Sequence, residues 1–165
     1  MKRLCVFCLM LFCSLNAFSR QGDFSVKYLS FVYHAYDPDY SGTEYFKNQF
    51  VSLGYHFDSK NSFSIGTFKN SQDNRCFSAG LNREWVDFGN GWKFSGSYLY
   101  AGEFFLDAFS SCGDEGVYAD IKEATGVGFA PYINHSFGYQ FTGSTSAEFG
   151  LLFPGIVVFN LNTRF

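Results

Sequence analysis

The chain has 165 residues and a formal net charge of −3 at neutral pH, so it lacks the basic surface expected of a nucleic-acid-binding domain. Aromatic residues make up 22% of it, with 23 Phe and 11 Tyr, whereas charged residues make up only 16%. Together with 17 Gly, this composition is typical of an aromatic-rich β protein with tight turns, and the length fits one domain.

The N-terminus predicts a secretory signal peptide over residues 1–19. Residues 1–3 carry two basic side chains, residues 4–15 form an apolar stretch too short to span a bilayer, and residues 17–19, Ala-Phe-Ser, form a small-x-small cleavage site. Residues 20–165 are then the mature, exported domain. No later stretch is long and apolar enough for a membrane helix, so this domain can enter a membrane only as a closed barrel.

Alternation of side-chain type with a period of two predicts eight strands along the chain. On the third predicted strand, for example, Phe63 and Ile65 alternate with Ser64 and Gly66. The predicted strands cover residues 24–36, 49–57, 62–68, 76–85, 92–102, 126–137, 145–153 and 156–165. Residues 103–125 are predicted to form the longest loop.

The connections alternate between short turns and longer polar loops, as in outer-membrane proteins. The large apolar side chains also alternate with small polar ones that would line the interior. The sequence therefore predicts an eight-stranded antiparallel up-and-down transmembrane β-barrel, monomeric, in the outer membrane. The rival interpretation is a secreted soluble sandwich or a lipocalin-like barrel. In the barrel register Glu84, Lys93, Glu148 and Arg164 face inward, which predicts an internal ion-pair network because buried charges must be paired.

Two cysteines, Cys76 and Cys112, lie outside the signal peptide, and both fall near predicted loops on the same side of the barrel. In an oxidising compartment they could form a disulfide or stay as two free thiols, and the sequence leaves both possibilities open. The histidines His34, His56 and His135 fall on different strands. We therefore predict no metal site, and no cofactor motif is present.

A candidate for chemistry is the predicted rim where His34 faces inward near the end of the first strand and Asn70 and Ser71 follow the third. A histidine beside a serine can act as the general base of an acyl-transfer step. Equally, a single histidine and a loop serine can be structural, and their spacing does not choose between the two.

Several short motifs, in order, resemble one family. They are Tyr-His-Ala-Tyr-Asp at residues 33–37, Phe-Lys-Asn-Ser at 68–71, Ala-Gly at 79–80 followed by Glu84, Pro131 followed by Phe-Gly-Tyr at 137–139, and Phe-Pro-Gly at 153–155 before the last strand. Over about residues 29–165 the chain thus resembles the outer-membrane lipid A palmitoyltransferases, the PagP family.

The resemblance implies transfer of an acyl chain from a phospholipid to lipid A or a related glycolipid, with lipopolysaccharide and phospholipid as partners. It also implies the roles of particular residues: His34, Asn70 and Ser71 in catalysis, Gly80 and Asn82 in an acyl slot with Asn82 at its floor, and Pro131 and Pro154 at a lateral opening for lipid. Proline cannot donate to a β ladder, so the two prolines could instead simply end strands.

Three departures from the family pattern bear on activity. The family's catalytic Asp is Asn70 here, so its negative charge is missing, and a slot-floor Gly is replaced by Asn82. The family's N-terminal amphipathic helix also has no counterpart. We predict an acyltransferase, and the alternatives are a catalytically inactive structural or surface-binding barrel and an esterase that removes acyl chains from lipid A.

Overall fold

The computed structural model describes residues 23–35, 45–152 and 155–165, and in these the chain forms a closed antiparallel β-barrel of eight strands. The predicted signal peptide lies outside the described residues. The strands are β1 Phe24–His34, β2 Tyr45–Phe46, β3 Val51–His56, β4 Asn61–Lys69, β5 Arg75–Gly89, β6 Trp92–Gly102, β7 Phe129–Gln140, β8 Thr145–Leu152 and β9 Ile156–Arg164.

From β3 to β9 each strand pairs with the next one in the chain, β1 pairs with β3, and β9 pairs with β1 to close the barrel. The two-residue strand β2 and the longer β3 lie along the same edge of β1, so together they fill one of the eight places. Short connections at residues 57–60, 90–91 and 141–144 lie at one end, called here the turn end. The connections at residues 70–74 and 103–128 lie at the opposite end, called the loop end. The predicted up-and-down topology is confirmed.

The barrel wall has an irregularity in β1. The pairing of β1 with β9 shifts register between Tyr28 and Phe31, and Leu29 between them has a positive φ of 51°. Such a bulge adds a residue to one strand and changes which face the following side chains occupy. Strict alternation from Leu29 would place Lys27 outside, whereas the bulge turns Lys27 into the barrel, where it pairs with Glu148.

The faces of the barrel follow the predicted inverted pattern. Outward side chains on the middle of the wall are large and apolar, and many are about half exposed, including Leu53, Ile65, Leu81, Ile133 and Leu151. Inward positions on the same strands are small or polar, and most are buried, including Ser52, Ser64, Ser78, Asn134 and Ser136. A soluble barrel would bury its large apolar side chains, so this exterior suits an apolar surrounding better than water.

Aromatic side chains concentrate on the outer surface toward the turn end. The members of this band are each about half exposed: Tyr55, Phe57, Trp85, Phe88, Trp92, Tyr139 and Phe141. Membrane barrels carry such girdles where the bilayer meets water, because an aromatic ring tolerates both surroundings.

The predicted long loop is only partly irregular, which corrects the expectation for residues 103–125. It contains a 3₁₀ helix at Asp107–Gly113 and an α-helix, α1, at Val117–Thr125. Gly116 and Gly126 bound α1, and Gly126 adopts a left-handed conformation and donates its N–H to the Lys122 carbonyl, closing the last turn. These two glycines mark the ends of the helix in the sequence, but the acidic, polar composition between them favours a loop. Neither described helix is long and apolar enough to cross a bilayer.

Candidate functional site

An apolar cluster fills the barrel interior at the loop end. Phe50 and Phe68 from the wall pack with Ala101 and with both cysteines, and Tyr118 and Tyr132 lie against them. Tyr118 comes from α1, and burial raises its pKa to about 12. The long loop therefore reaches over the barrel mouth and contributes directly to the packing there.

A disulfide between Cys76 and Cys112 fixes this loop to the wall. Both residues are fully buried, which places the bond inside the apolar cluster rather than on the surface. Of the two alternatives that the sequence left open, the structure contains the disulfide.

The base of the long loop is held by a second set of contacts around Glu103. Its carboxylate accepts hydrogen bonds from the Lys122 ammonium and from the Gly128 backbone N–H, so it joins α1 to both ends of the loop. The Lys122 ammonium also donates to Asp114. The hydrogen bond to Asp114, and after it the one to Glu103, raises the pKa of Lys122. Residues 103–128, called here the cover, are therefore folded and attached to the barrel by a disulfide, by apolar packing and by ion pairs.

His34, Asn70 and Ser71, the predicted catalytic residues, all lie at the loop end. His34 ends β1 opposite Ile156 of β9, and it is 6% exposed. Asn70 follows β4 and is 5% exposed, whereas Ser71 lies in the adjoining turn and is partly exposed. The structure thus brings the three to one end of the barrel, and their catalytic roles stay a prediction.

The side chain of Asn70 has a clear structural task. Its Oδ1 accepts hydrogen bonds from the backbone N–H groups of Gln72 at 3.1 Å and Asn74 at 2.9 Å, which holds the turn between β4 and β5. Its Nδ2 donates to the Cys112 carbonyl at 3.5 Å, on the cover. An ionised aspartate could accept the first two bonds but could not donate the third. The amide therefore suits a residue that links a turn to the loop above it.

The predicted slot residues, Gly80 and Asn82, face the interior from β5. A Cβ at Gly80 would collide with the Tyr98 carbonyl, so this glycine lets β6 approach β5 closely. Asn82 donates to the Ser64 hydroxyl at 2.9 Å and accepts from the Ser97 hydroxyl at 2.7 Å, bridging β4, β5 and β6. The interior at Asn82 is thus a hydrogen-bonded polar layer.

Below this layer the interior widens into a cavity of about 470 Å³ toward the turn end. Its walls are mainly serine hydroxyls and charged groups, with Lys27 paired to Glu148 at 2.8 Å and Lys93 paired to Glu84 at 2.7 Å. The predicted internal ion pairing is therefore present for Glu84, Lys93 and Glu148, and Arg164 also lines the cavity. Lys27 is not among the predicted interior charges, because only the bulge in β1 turns it inward.

Pro131 lies within β7, opposite Tyr100 of β6, and Pro154 lies outside the described residues. The ladder between β7 and β8 runs from Asn134 and Leu152 toward the turn end, so Pro131 is on the loop side of that ladder. A role in lateral lipid access stays a prediction.

Two of the three histidines make contacts outside the loop end. His56 is 3.0 Å from the Ser25 hydroxyl at the turn end, and His135 is 2.9 Å from the Tyr98 hydroxyl on the outer surface. Within residues 23–35, 45–152 and 155–165, no group of three His, Cys, Asp or Glu side chains is placed to hold a metal ion.

A scan against protein-family models finds no match for this chain, and a search of curated proteins finds none either. No family match thus identifies the chain as a lipid A palmitoyltransferase. The fold is an eight-stranded antiparallel barrel.

Proposed function

We propose that the chain is an outer-membrane β-barrel with a structural or surface-binding role, its covered loop end presented to the outside of the cell. The observation that carries the proposal is the inverted pattern of the wall, in which half-exposed Leu, Ile and Phe side chains surround an interior of serine, asparagine and ion pairs. Transfer of so many apolar side chains from water to lipid is favourable, by roughly 25 cal/mol per Å² of apolar surface removed from water.

The interior supports this role better than it supports an acyl slot. A slot that measures an acyl chain needs an apolar lining, since hydroxyls and charges lose their partners when hydrocarbon replaces water. The interior around Asn82 is instead bridged by amide–hydroxyl hydrogen bonds, and the cavity beyond it carries two ion pairs. The folded cover, bound to the wall by the disulfide, gives the barrel a fixed surface at the loop end.

Localisation is tested by separating inner from outer membranes of cells that express the full chain, and by electrophoresis of the purified protein with and without boiling. We expect the protein in the outer-membrane fraction and a faster-migrating unboiled band, because closed barrels resist detergent. Recovery as a soluble exported protein that binds no detergent would refute the proposal and favour the soluble-barrel alternative.

Acyl transfer is the second candidate, and the burial of His34 and Asn70 at one end of the barrel favours it. In this proposal His34 is the general base or acid, and Ser71 and Asn70 orient the donor or the oxyanion. The acyl donor is a phospholipid and the acceptor is lipid A or a related glycolipid. The amide oxygen of Asn70 already accepts two backbone N–H groups of the turn, and its nitrogen donates to the Cys112 carbonyl, so its part in a reaction falls to the second N–H of the amide.

The two candidates differ in the mass of lipid A from cells that express the chain. A gain of one acyl chain that His34→Ala abolishes would establish transfer, and a loss of one would indicate the esterase. Unchanged lipid A, from cells whose barrel is shown to be folded in the outer membrane, is the result we expect for the structural role. Tyr33→Ala is the matched control, since Tyr33 neighbours His34 but faces outward.

A further inference from the structure

The start of the long loop exposes an unusual run of large apolar side chains. Residues 104–109, here called the aromatic segment, read Phe-Phe-Leu-Asp-Ala-Phe. Phe105 is 84% exposed and Leu106 is 51% exposed, although Cys112 and Tyr118 of the same loop pack into the apolar cluster. A loop in water would not be expected to present such a run.

The aromatic segment continues the apolar outer surface of the wall. Phe77 lies on the outer face of β5 at the loop end, and its ring stacks on Phe104 with the centroids 4.2 Å apart. Phe104 in turn contacts Phe105 at 4.0 Å, and Phe109 approaches Phe77 at 5.8 Å. The rings thus form one chain of contacts from the barrel wall to the exposed tip.

The carboxylate immediately before the segment, that of Glu103, turns away from this surface, whereas Asp107 within the segment is exposed. Glu103 directs its carboxylate to Lys122 and to the Gly128 N–H, so the charge immediately before the segment is used within the cover. On the neighbouring strands, Tyr100 stacks on Phe129 at 5.6 Å, and its hydroxyl donates to the Glu103 carbonyl at 2.6 Å. An outer rim of aromatic rings therefore surrounds the base of the segment.

We propose that the aromatic segment is a lipid-binding anchor, inserted in the leaflet at the loop end, where acyl chains meet headgroups. The inference rests on the proposed membrane location and adds to it a specific lipid contact made by a loop. Amphipathic segments that lie in this interface bury their apolar side by about 5–10 Å. Phe105 and Leu106 bind the upper acyl chains, whereas α1 stays in water. The segment forms the loop-side counterpart of the aromatic band at the turn end.

Tryptophan fluorescence in vesicles with brominated lipids tests this placement, because bromine quenches only nearby rings. The native Trp85 and Trp92 are first replaced by Phe, which leaves a background without tryptophan. Single tryptophans are then introduced in the full mature barrel as Phe105→Trp in the segment, Phe149→Trp on the outer wall, and Glu123→Trp on the exposed side of α1. Phosphatidylcholines brominated near the top or near the end of the chain report depth.

We expect Phe105→Trp to be quenched about twofold more by shallow than by deep bromine, consistent with insertion at the interface. Glu123→Trp should be quenched little by either lipid. Quenching at position 105 no stronger than at position 123, with Phe149→Trp quenched, would overturn the anchor and indicate a segment that faces water or a protein partner. Absence of quenching at position 149 would instead refute the membrane location itself, so the two failures can be told apart.

Discussion

Reduction of the disulfide between Cys76 and Cys112 should lower the free energy of unfolding substantially. The bond closes a chain segment with a sequence separation of 36 residues. For a loop of this length, the chain-entropy relation gives about 4 kcal/mol of stabilisation near room temperature, through restriction of the unfolded chain. Because both cysteines are buried in the apolar cluster, the reduced thiols stay packed, and little further loss is expected from the native state.

The assay is reversible urea unfolding of the purified barrel in detergent micelles or vesicles, followed by circular dichroism, with and without a reductant. The free energy of unfolding should be about 4 kcal/mol higher for the oxidised than for the reduced protein. A steeper dependence of that free energy on urea concentration after reduction would report a less compact unfolded state. The double variant Cys76→Ala, Cys112→Ala is the control, since its stability should not respond to reductant. A difference below about 1 kcal/mol would refute the reasoning and show that the cover is held by its other contacts.

Three further predictions concern the interior and a turn. Asn82→Ala, which removes both hydrogen bonds to the neighbouring serines, should cost about 1–3 kcal/mol in urea unfolding, and a cost near zero would contradict the polar layer. Gly80→Ala should cost about 1–3 kcal/mol in the same assay through overpacking against β6, and a stabilised variant would contradict the collision. The hydrogen bond from the Asn61 side chain, then backbone N–H bonds, lowers the pKa of Asp58 below its ordinary 3.8. The stabilisation is therefore full above the ordinary pKa and is lost as pH falls through the lower folded value. Asp58→Asn should make the free energy of unfolding less dependent on pH over that acidic range. The same dependence on pH in the variant and the native chain would contradict the prediction.

The barrel could be predicted from the sequence because a sheet with one apolar and one polar face leaves an alternating pattern of side chains in each strand. Alternation such as Phe63-Ser64-Ile65 can be recognised from neighbouring residues alone. The same kind of alternation predicts most of β5 and β6. Departures from strict alternation were not readable. The bulge at Leu29 has no composition signal of its own, and it alone decides that Lys27 faces Glu148 across the interior.

The loop end was predicted less well because its structure depends on long-range contacts. The α-helix at Val117–Thr125 is short and would be marginal alone, and it is stabilised by Tyr118 in the apolar cluster and by Lys122 on Glu103. Neither contact has a signature in the local sequence. The sequence pattern also predicts that β7 starts at residue 126, because the helix before it has no local signature. In the structure Gly126 ends the helix and β7 begins at Phe129.

Asn70 shows that a residue can lie in a motif resembling a catalytic one and still have a structural role. The short sequence around it resembles that of a catalytic family, yet in this barrel its amide oxygen holds a turn and its amide nitrogen binds the cover at the Cys112 carbonyl. The neighbouring disulfide joins the same two segments. Asn70 and the disulfide therefore perform one task together, since each fixes the long loop against the β4–β5 hairpin, Asn70 at its turn and Cys76 in β5. This shared task accounts for an amide at the position without any requirement for chemistry.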